Sequence, residues 1–274
     1  MTDINTPIAF VKSSPQHSLL EQHIDYYFYI HQTLEHPSFL TENIIPFPRV
    51  TFGYFFDAPF SVTNLSNQET KVLDFAISPL TTNVVEVTPT TSTIKIIGAH
   101  LKPYALAYFT HKSIHTLPWV ISPLDLLGEA AQKFKNDIQT ATTIDALFTI
   151  AEAAFIDAFQ EKDLSLVQKT IEELDYSLGE ITLEDIAEKH GVSTRTIRNH
   201  FLQEVGCTPK TYVQLLRMKQ SLWKMLNNSE NLTQIGIESN YFDQAHFSKS
   251  MKKMIGQSPK SIRKDLPHFR FLQF

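Results

Sequence analysis

His111 and His115 stand four residues apart, a spacing that puts two imidazoles on one side of a helix, where they could hold a metal ion. No glutamate accompanies them as in a HExxH site, and no His-x-His pair with a later Glu and His occurs. The bland reading of these two histidines is an exposed or capping role. Cys207 is the only cysteine, so it has no partner for an internal disulfide and no companion thiols for a zinc site. No phosphate loop, GxGxxG or GxSxG signature is present. We therefore expect no catalytic residues, no metal and no cofactor, and we do not read the chain as an enzyme. What remains is charge. Residues 1–163 carry 9 Lys and Arg against 17 Asp and Glu, whereas residues from Lys189 onward carry 14 against 5. An acidic half followed by a basic one suggests two tasks, the second involving a polyanion. A solvated basic surface is the competing explanation.

Two kinds of element must position these charges. In 1–163, the stretches IIPFPRVTFGYFF (44–56), SVTNL (61–65), KVLDFAI (71–77), TNVVEVT (82–88) and TIKIIGAHL (93–101) are short and rich in β-branched and aromatic residues, with turn residues between them. A small closed or sandwiched sheet buries so many short strands. Helical patterns follow. The clearest, over 143–159, sets Ile144, Leu147, Phe148, Ala151, Phe155 and Phe159 on one stripe. QEKDLS (160–165) reads as a linker, and beyond it every segment reads as helix. The fold class expected is α+β followed by all-α.

The helical half contains an internal repeat. Phe201-x4-Gly206-xx-Pro209-Lys210 recurs 50 residues later as Met251-x4-Gly256-xx-Pro259-Lys260, and Ile197 and Val205 correspond to Phe247 and Ile255. Upstream, Leu183, Ile186 and Ala187 correspond to Leu232, Ile235 and Gly236, 49 residues on. Each copy has the layout of a helix-turn-helix. Thr182 and Asp185 form a capping box, Ala187 lets the next helix approach, and Gly191 occupies the turn. Ser193 caps the second helix, and Ile197 and Phe201 point inward. Thr208-Pro209 and Ser258-Pro259 each start a further helix. The first of these, PKTYVQLLRMKQSLWKML (209–226), has Tyr212, Leu215, Leu216, Leu222 and Met225 as a buried stripe and is a rod of about 27 Å.

The stretches ITLEDIAEKHGVSTRTIRNHFLQEVGCTPKTYV and NLTQIGIESNYFDQAHFSKSMKKMIGQSPKSIRK resemble the AraC/XylS family of bacterial transcription regulators over roughly 164–266. The resemblance implies an AraC-type double helix-turn-helix domain at 164–274 that binds double-stranded DNA, with the second helix of each unit in the major groove. The base-reading positions then map to Arg195, Arg198 and Asn199, and to Gln244, Ala245, Ser248 and Lys249; Lys252 is expected on a phosphate. Arg suits guanine O6 and N7, and Asn or Gln suits adenine N6 and N7. The chain departs from the family pattern in having Asn199 for an arginine, Gly236 for a small alanine, Ser239 for an apolar residue, Asn240 for the turn glycine and Ala245 for a serine. Asn tolerates the left-handed turn. Some DNA-repair alkyl acceptors share the double unit, but they need N-terminal zinc-binding cysteines, and residues 1–206 contain none.

The segments HIDYYFYI, IIPFPRVTF and IIGAHLKPYALAYF resemble, more distantly and over about 17–160, the cupin-like companion domain of some members, which implies a small β-barrel or sandwich with helices as the domain at 1–163. In the family this half senses a small-molecule effector, pairs two chains, or both. Phe52, Tyr54 and Phe56 alternate toward one face of a strand and either line an effector pocket or are plain core. The helix over 143–159 is apolar beyond one face, which suggests a homodimer through the N-terminal half. RNA polymerase is a further candidate partner. The alternative is a DNA-binding protein whose N-terminal half is a protein-interaction module without a small ligand. MTDINTPIAF lacks a basic region followed by an apolar core, and no apolar run reaches about 18 residues. No membrane association is expected, and the localisation read from this is cytoplasmic.

Overall fold

The computed structural model describes residues 8–33, 41–227 and 231–265; the stretch 1–7, read above for a leader, lies outside them. Strands β1 (Ile8–Ser13), β2 (Ile24–Thr33), β3 (Glu42–Ile44), β4 (Val50–Phe55), β5 (Phe60–Asn64), β6 (Glu69–Leu73), β7 (Phe75–Ser78), β8 (Val85–Pro89) and β9 (Thr93–Leu101) form two antiparallel sheets. One has the order β1-β2-β9-β4-β7 and the other β3-β8-β5-β6. They stack as an open sandwich. The single stretch expected at 44–56 is divided, because Pro46 and Pro48 cannot donate to a ladder; β3 joins one sheet and β4 the other.

The larger sheet is covered on both faces. Phe28, Ile30 and Ile96 meet Phe60, Val62, Val85 and Val87 of the smaller sheet. From the same strands Tyr27, Tyr29, Ile97 and Ala99 face helices. After α1 (Ser18–Glu21), those helices are α2 (Pro123–Leu127), α3 (Glu129–Asp137) and α4 (Ile144–Ala158). Thr143 caps α4 by accepting from the Ala146 N–H at 3.2 Å. Phe155 is 1% exposed, and its ring lies 5.1 Å from Phe52 and 6.4 Å from Tyr27. Phe148 is also buried against Tyr27. The stripe expected to meet a second chain is thus largely used inside its own domain.

The helical half comprises α5 (Ser165–Tyr176), α6 (Leu183–Lys189), α7 (Thr194–His200), α8 (Pro209–Asn227), α9 (Leu232–Glu238), α10 (Gln244–Ile255) and α11 (Pro259–Asp265). It shares one apolar core with the β-rich half, running from Leu20 through Phe109 and Phe201 to Ile262. The seam is specific. After α7 the chain makes one turn of π-helix, Phe201–Val205, which packs on 3-10 turns Ala105–Phe109 and Ile114–Thr116. Beside it the linker residue Lys162 is tied back to its own half, donating from Nζ to the carbonyls of Ala107 (2.7 Å) and Thr110 (2.5 Å). Gln168 donates to the Tyr108 hydroxyl at 3.0 Å.

Gly206 closes the π-turn at φ 88°, and a Cβ there would lie 2.9 Å from Cγ2 of Ile114. Gly256, its counterpart in the repeat, has φ 81° but open space where a Cβ would go. Gly256→Ala should therefore cost only the left-handed strain, about 1–2 kcal/mol. Gly206→Ala should add about 1–3 kcal/mol of overpacking, and this addition should shrink when the substitution is made in an Ile114→Ala background. Urea unfolding of wild type, the three single variants and the double variant measures this, and equal costs for the two glycine substitutions would contradict the seam described.

Candidate nucleic-acid interface

Each repeat folds as its local rules dictate. In the first, the Asp185 N–H donates to Thr182 Oγ1 (3.1 Å) and the Thr182 N–H to Asp185 Oδ2 (3.3 Å), closing the capping box on α6. Gly191 turns the chain at φ 64°, and Ser193 caps α7 by accepting from the Thr196 N–H at 3.0 Å. In the second, Asn231 caps α9 (2.8 Å to the Gln234 N–H), Asn240 turns at φ 59° and Asp243 caps α10 (2.6 Å to the His246 N–H). Ile186, Ile197 and Phe201 fill the first unit, and Ile235, Phe247 and Met251 the second, each fully buried. The left-handed Asn240 confirms that the turn survives loss of its glycine.

The spine between the units is α8. Its Tyr212, Leu215, Met218 and Leu222 are each at most 1% exposed. Toward the first unit the Tyr212 ring meets Phe201 edge-on at 5.9 Å, its hydroxyl donates to Asp175 (2.7 Å), and Arg217 donates to the Gly179 carbonyl (2.8 Å). Burial holds the Asp175 carboxyl above its ordinary range despite the Tyr212 bond. Toward the second unit Lys224 pairs with Glu238 of α9. Asn240 also reaches the Leu178 carbonyl at 3.4 Å. A cleft of about 700 Å³ opens between the units, with Arg198, Lys210, Gln214, Arg217 and His246 in its walls.

The residues expected to read DNA are brought onto the outer faces of α7 and α10. Arg195, Arg198 and Asn199 are exposed on α7; Gln244, Ala245, Lys249 and Lys252 are exposed on α10, and Ser248 is half-buried. Arg198 is steadied by Thr194 Oγ1 at 3.2 Å and lies 4.0 Å from Glu184. Gln244 accepts from Thr233 Oγ1 at 3.1 Å, which leaves its amide nitrogen free to face outward. Among the described residues, Arg195, Lys249 and Lys252 enter no ion pair. Phe242, just ahead of α10, is 90% exposed and was not among the expected residues.

The other candidates are placed differently. Phe52 and Tyr54 are 1% and 3% exposed and pack with Phe75 and Phe134, while Phe56 packs beside Tyr54. A cavity of about 130 Å³ lies between the sheets; the opposite face of β4, namely Thr51, Gly53 and Phe55, lines it together with residues of the smaller sheet such as Val62, Val85 and Val87. Phe52 also borders it; Tyr54 and Phe56 do not. His111 and His115 share no helix: His111 lies in a bend and His115 in the 3-10 turn, against Ser113 Oγ at 2.8 Å. Among the described residues, no group of three His, Cys, Asp or Glu could hold a metal. Burial pushes the Cys207 thiol up to about 12, far from a reactive thiolate. Among the described residues no helix is long and apolar enough to cross a membrane.

A family described as a helix-turn-helix domain matches residues 186–265. The HTH-type transcriptional activator RhaS of Enterobacter sp. (strain 638) is 25% identical over 122 residues, 44% of this chain and 44% of that protein. The invasion protein InvF of Salmonella typhi is 32% identical over 81 residues, 30% of this chain and 38% of that protein. The chain thus matches less than half the length of these curated relatives. A 1.65 Å structure of ToxT from Vibrio cholerae superposes with a TM-score of 0.51 at 9% identity, covering 94% of this chain and 98% of that one. A wild-type ToxT structure with bound unsaturated fatty acid superposes with a TM-score of 0.50 at 11% identity, covering 86% and 94%. These likenesses concern the fold.

Ser239 is fully buried, and among the described residues its hydroxyl has no hydrogen-bond partner. Ser239→Ala should stabilise the chain by about 1 kcal/mol, because it removes an unsatisfied polar group. Chemical denaturation checks this. A destabilisation of similar size would mean that the hydroxyl is satisfied.

Proposed function

We propose that the chain is a sequence-specific, duplex-DNA-binding transcription regulator of the AraC type, its matched helix-turn-helix domain at residues 186–265 following a β-rich companion domain. The observation that carries this reading is the pair of capped helices, α7 and α10, held on one buried spine with exposed cationic and amide side chains. In the proposal α7 reads bases with Arg195, Arg198 and Asn199, and α10 reads them with Gln244, Ala245, Ser248 and Lys249. Lys252 holds a phosphate. Phosphate contacts position the protein and base contacts specify the sequence.

The companion domain is proposed to set activity through a small apolar effector. The apolar cavity between the sheets supports this reading, as does the unsaturated fatty acid bound by ToxT. Self-association is the second proposed route. Half-buried Ile150 and Ile156, with Ala146, Ala153 and Ala158, are the remaining apolar surface of α4, since Phe148 and Phe155 are buried. Action in the cytoplasm with RNA polymerase completes the proposal. A thermal-shift screen of the full chain against small apolar compounds, short-chain fatty acids included, tests the effector. A saturable rise in Tm supports it, and a flat response favours a purely protein-interacting N-terminal half.

The full chain should bind duplex DNA with a log–log salt slope of several units negative. Arg198→Ala should cost about 1–3 kcal/mol on the preferred site and relax selectivity there. Lys252→Ala should weaken all sequences alike. Equilibrium titrations on specific and random duplexes separate these outcomes. Salt-insensitive binding, or no binding at low salt, contradicts the proposal.

A further inference from the structure

We propose that Phe242 is a base-reading residue of the second unit, its ring seated on the 5-methyl group of a thymine in the major groove. This rests on the DNA-binding reading above.

The first observation is the register of the repeat. Upstream residues correspond at a displacement of 49, as Ala187 does to Gly236, and downstream residues at 50, as Ile197 does to Phe247. The second turn therefore contains one extra residue, and the structure identifies it. Gly191 and Asn240 are both left-handed, at φ 64° and 59°, and stand 49 apart. Ser193 and Asp243 both cap the following helix and stand 50 apart. Between these fixed points the first unit has only Val192, whereas the second has Tyr241 and Phe242.

The second observation is how those two residues divide. An apolar residue just ahead of a helix cap commonly packs on the fourth helical residue, fixing the angle at which the chain enters. For α10 that position belongs to Phe242 and the fourth residue is Phe247. Tyr241 does this packing instead: it is 5% exposed, with its ring 5.0 Å from Phe247 and 5.5 Å from His246. Phe242 is 90% exposed, so its ring contributes nothing to the packing of the described chain. Its backbone N–H leans on His246 Nδ1 at 3.4 Å, which keeps the residue close to the first turn of α10.

The third observation is what lies beside it. The first turn of a recognition helix is the part that reaches base edges. Here it presents Gln244, whose amide can serve adenine, and Ala245, whose short side chain leaves room for a neighbour. A phenyl ring offers neither charge nor donor to a phosphate. The apolar group that the major groove displays is the thymine methyl. Burying one methyl is worth roughly a three- to fivefold change in affinity.

The test uses the full chain and a site enriched from a random duplex pool by the wild-type protein. Each thymine of that site is then replaced in turn by deoxyuridine, which removes only the methyl. Wild type should lose about three- to fivefold at one position in the half read by α10. Phe242→Ala should bind the unsubstituted site about that much more weakly and be indifferent to uridine there, while Phe242→Leu should retain most of the effect. A thermal melt should show Phe242→Ala folded like wild type. The proposal is overturned if Phe242→Ala binds every duplex like wild type, if its loss is equal on random DNA, or if no thymine methyl matters. A pool from which wild type enriches nothing would overturn the DNA-binding reading itself, and the role of Phe242 with it.

Discussion

Everything proposed for this chain depends on α8 belonging to the cores of both helix-turn-helix units at once. Neither unit is large enough to bury its apolar faces alone: each has two short helices and a handful of core side chains. Tyr212 and Leu215 serve the first, and Leu222 and Met225, toward the other end, the second, on a single helix of 19 residues. A continuous helix of that length is about 28 Å long and does not bend freely. The distance between α7 and α10 is therefore set by packing. One turn of B-DNA is ~34 Å, the spacing at which the proposal has α7 and α10 enter successive major grooves on one side of a duplex.

The second constraint is the seam between the halves. The end of the first helix-turn-helix unit forms part of the boundary with the β-rich domain, where Gly206 approaches Ile114 and Gln168 of α5 donates to the Tyr108 hydroxyl. The π-turn at Phe201–Val205 is where the helical ladder yields to that contact. A displacement of the 3-10 turns would therefore reach α7 through direct packing. The second unit has no such support in the described contacts and is tied to the first through α8 and the Asn240–Leu178 bond. This asymmetry places the N-terminal half in direct packing contact with the first helix-turn-helix unit.

The helix-turn-helix repeat was legible in the sequence because its rules are short-range. Caps at Thr182 and Ser193, left-handed turns at Gly191 and Asn240, and the Ile197–Phe201 spacing are each decided within a few residues. The sandwich class was legible for the same reason. What was not legible depends on long-range packing. The alternation of Phe52, Tyr54 and Phe56 did not say which face of β4 meets helices and which meets the second sheet, since both are covered. The stripe on α4 read equally well as a partner surface or as internal core, and only the sheet beneath Phe155 decides. His111 and His115 have helical spacing, yet the chain between them bends before the 3-10 turn begins. The seam at Gly206 joins residues about 90 apart, which no local pattern reveals.

The central claim is that α7 and α10 read one duplex together at a separation fixed by α8. Missing-nucleoside interference on a site enriched by the full chain tests this most directly, since each base is removed in turn and the loss of binding recorded. The account predicts two clusters of required bases centred about one helical turn apart, on one face of the duplex. A single cluster, or two whose spacing varies from site to site, would contradict it.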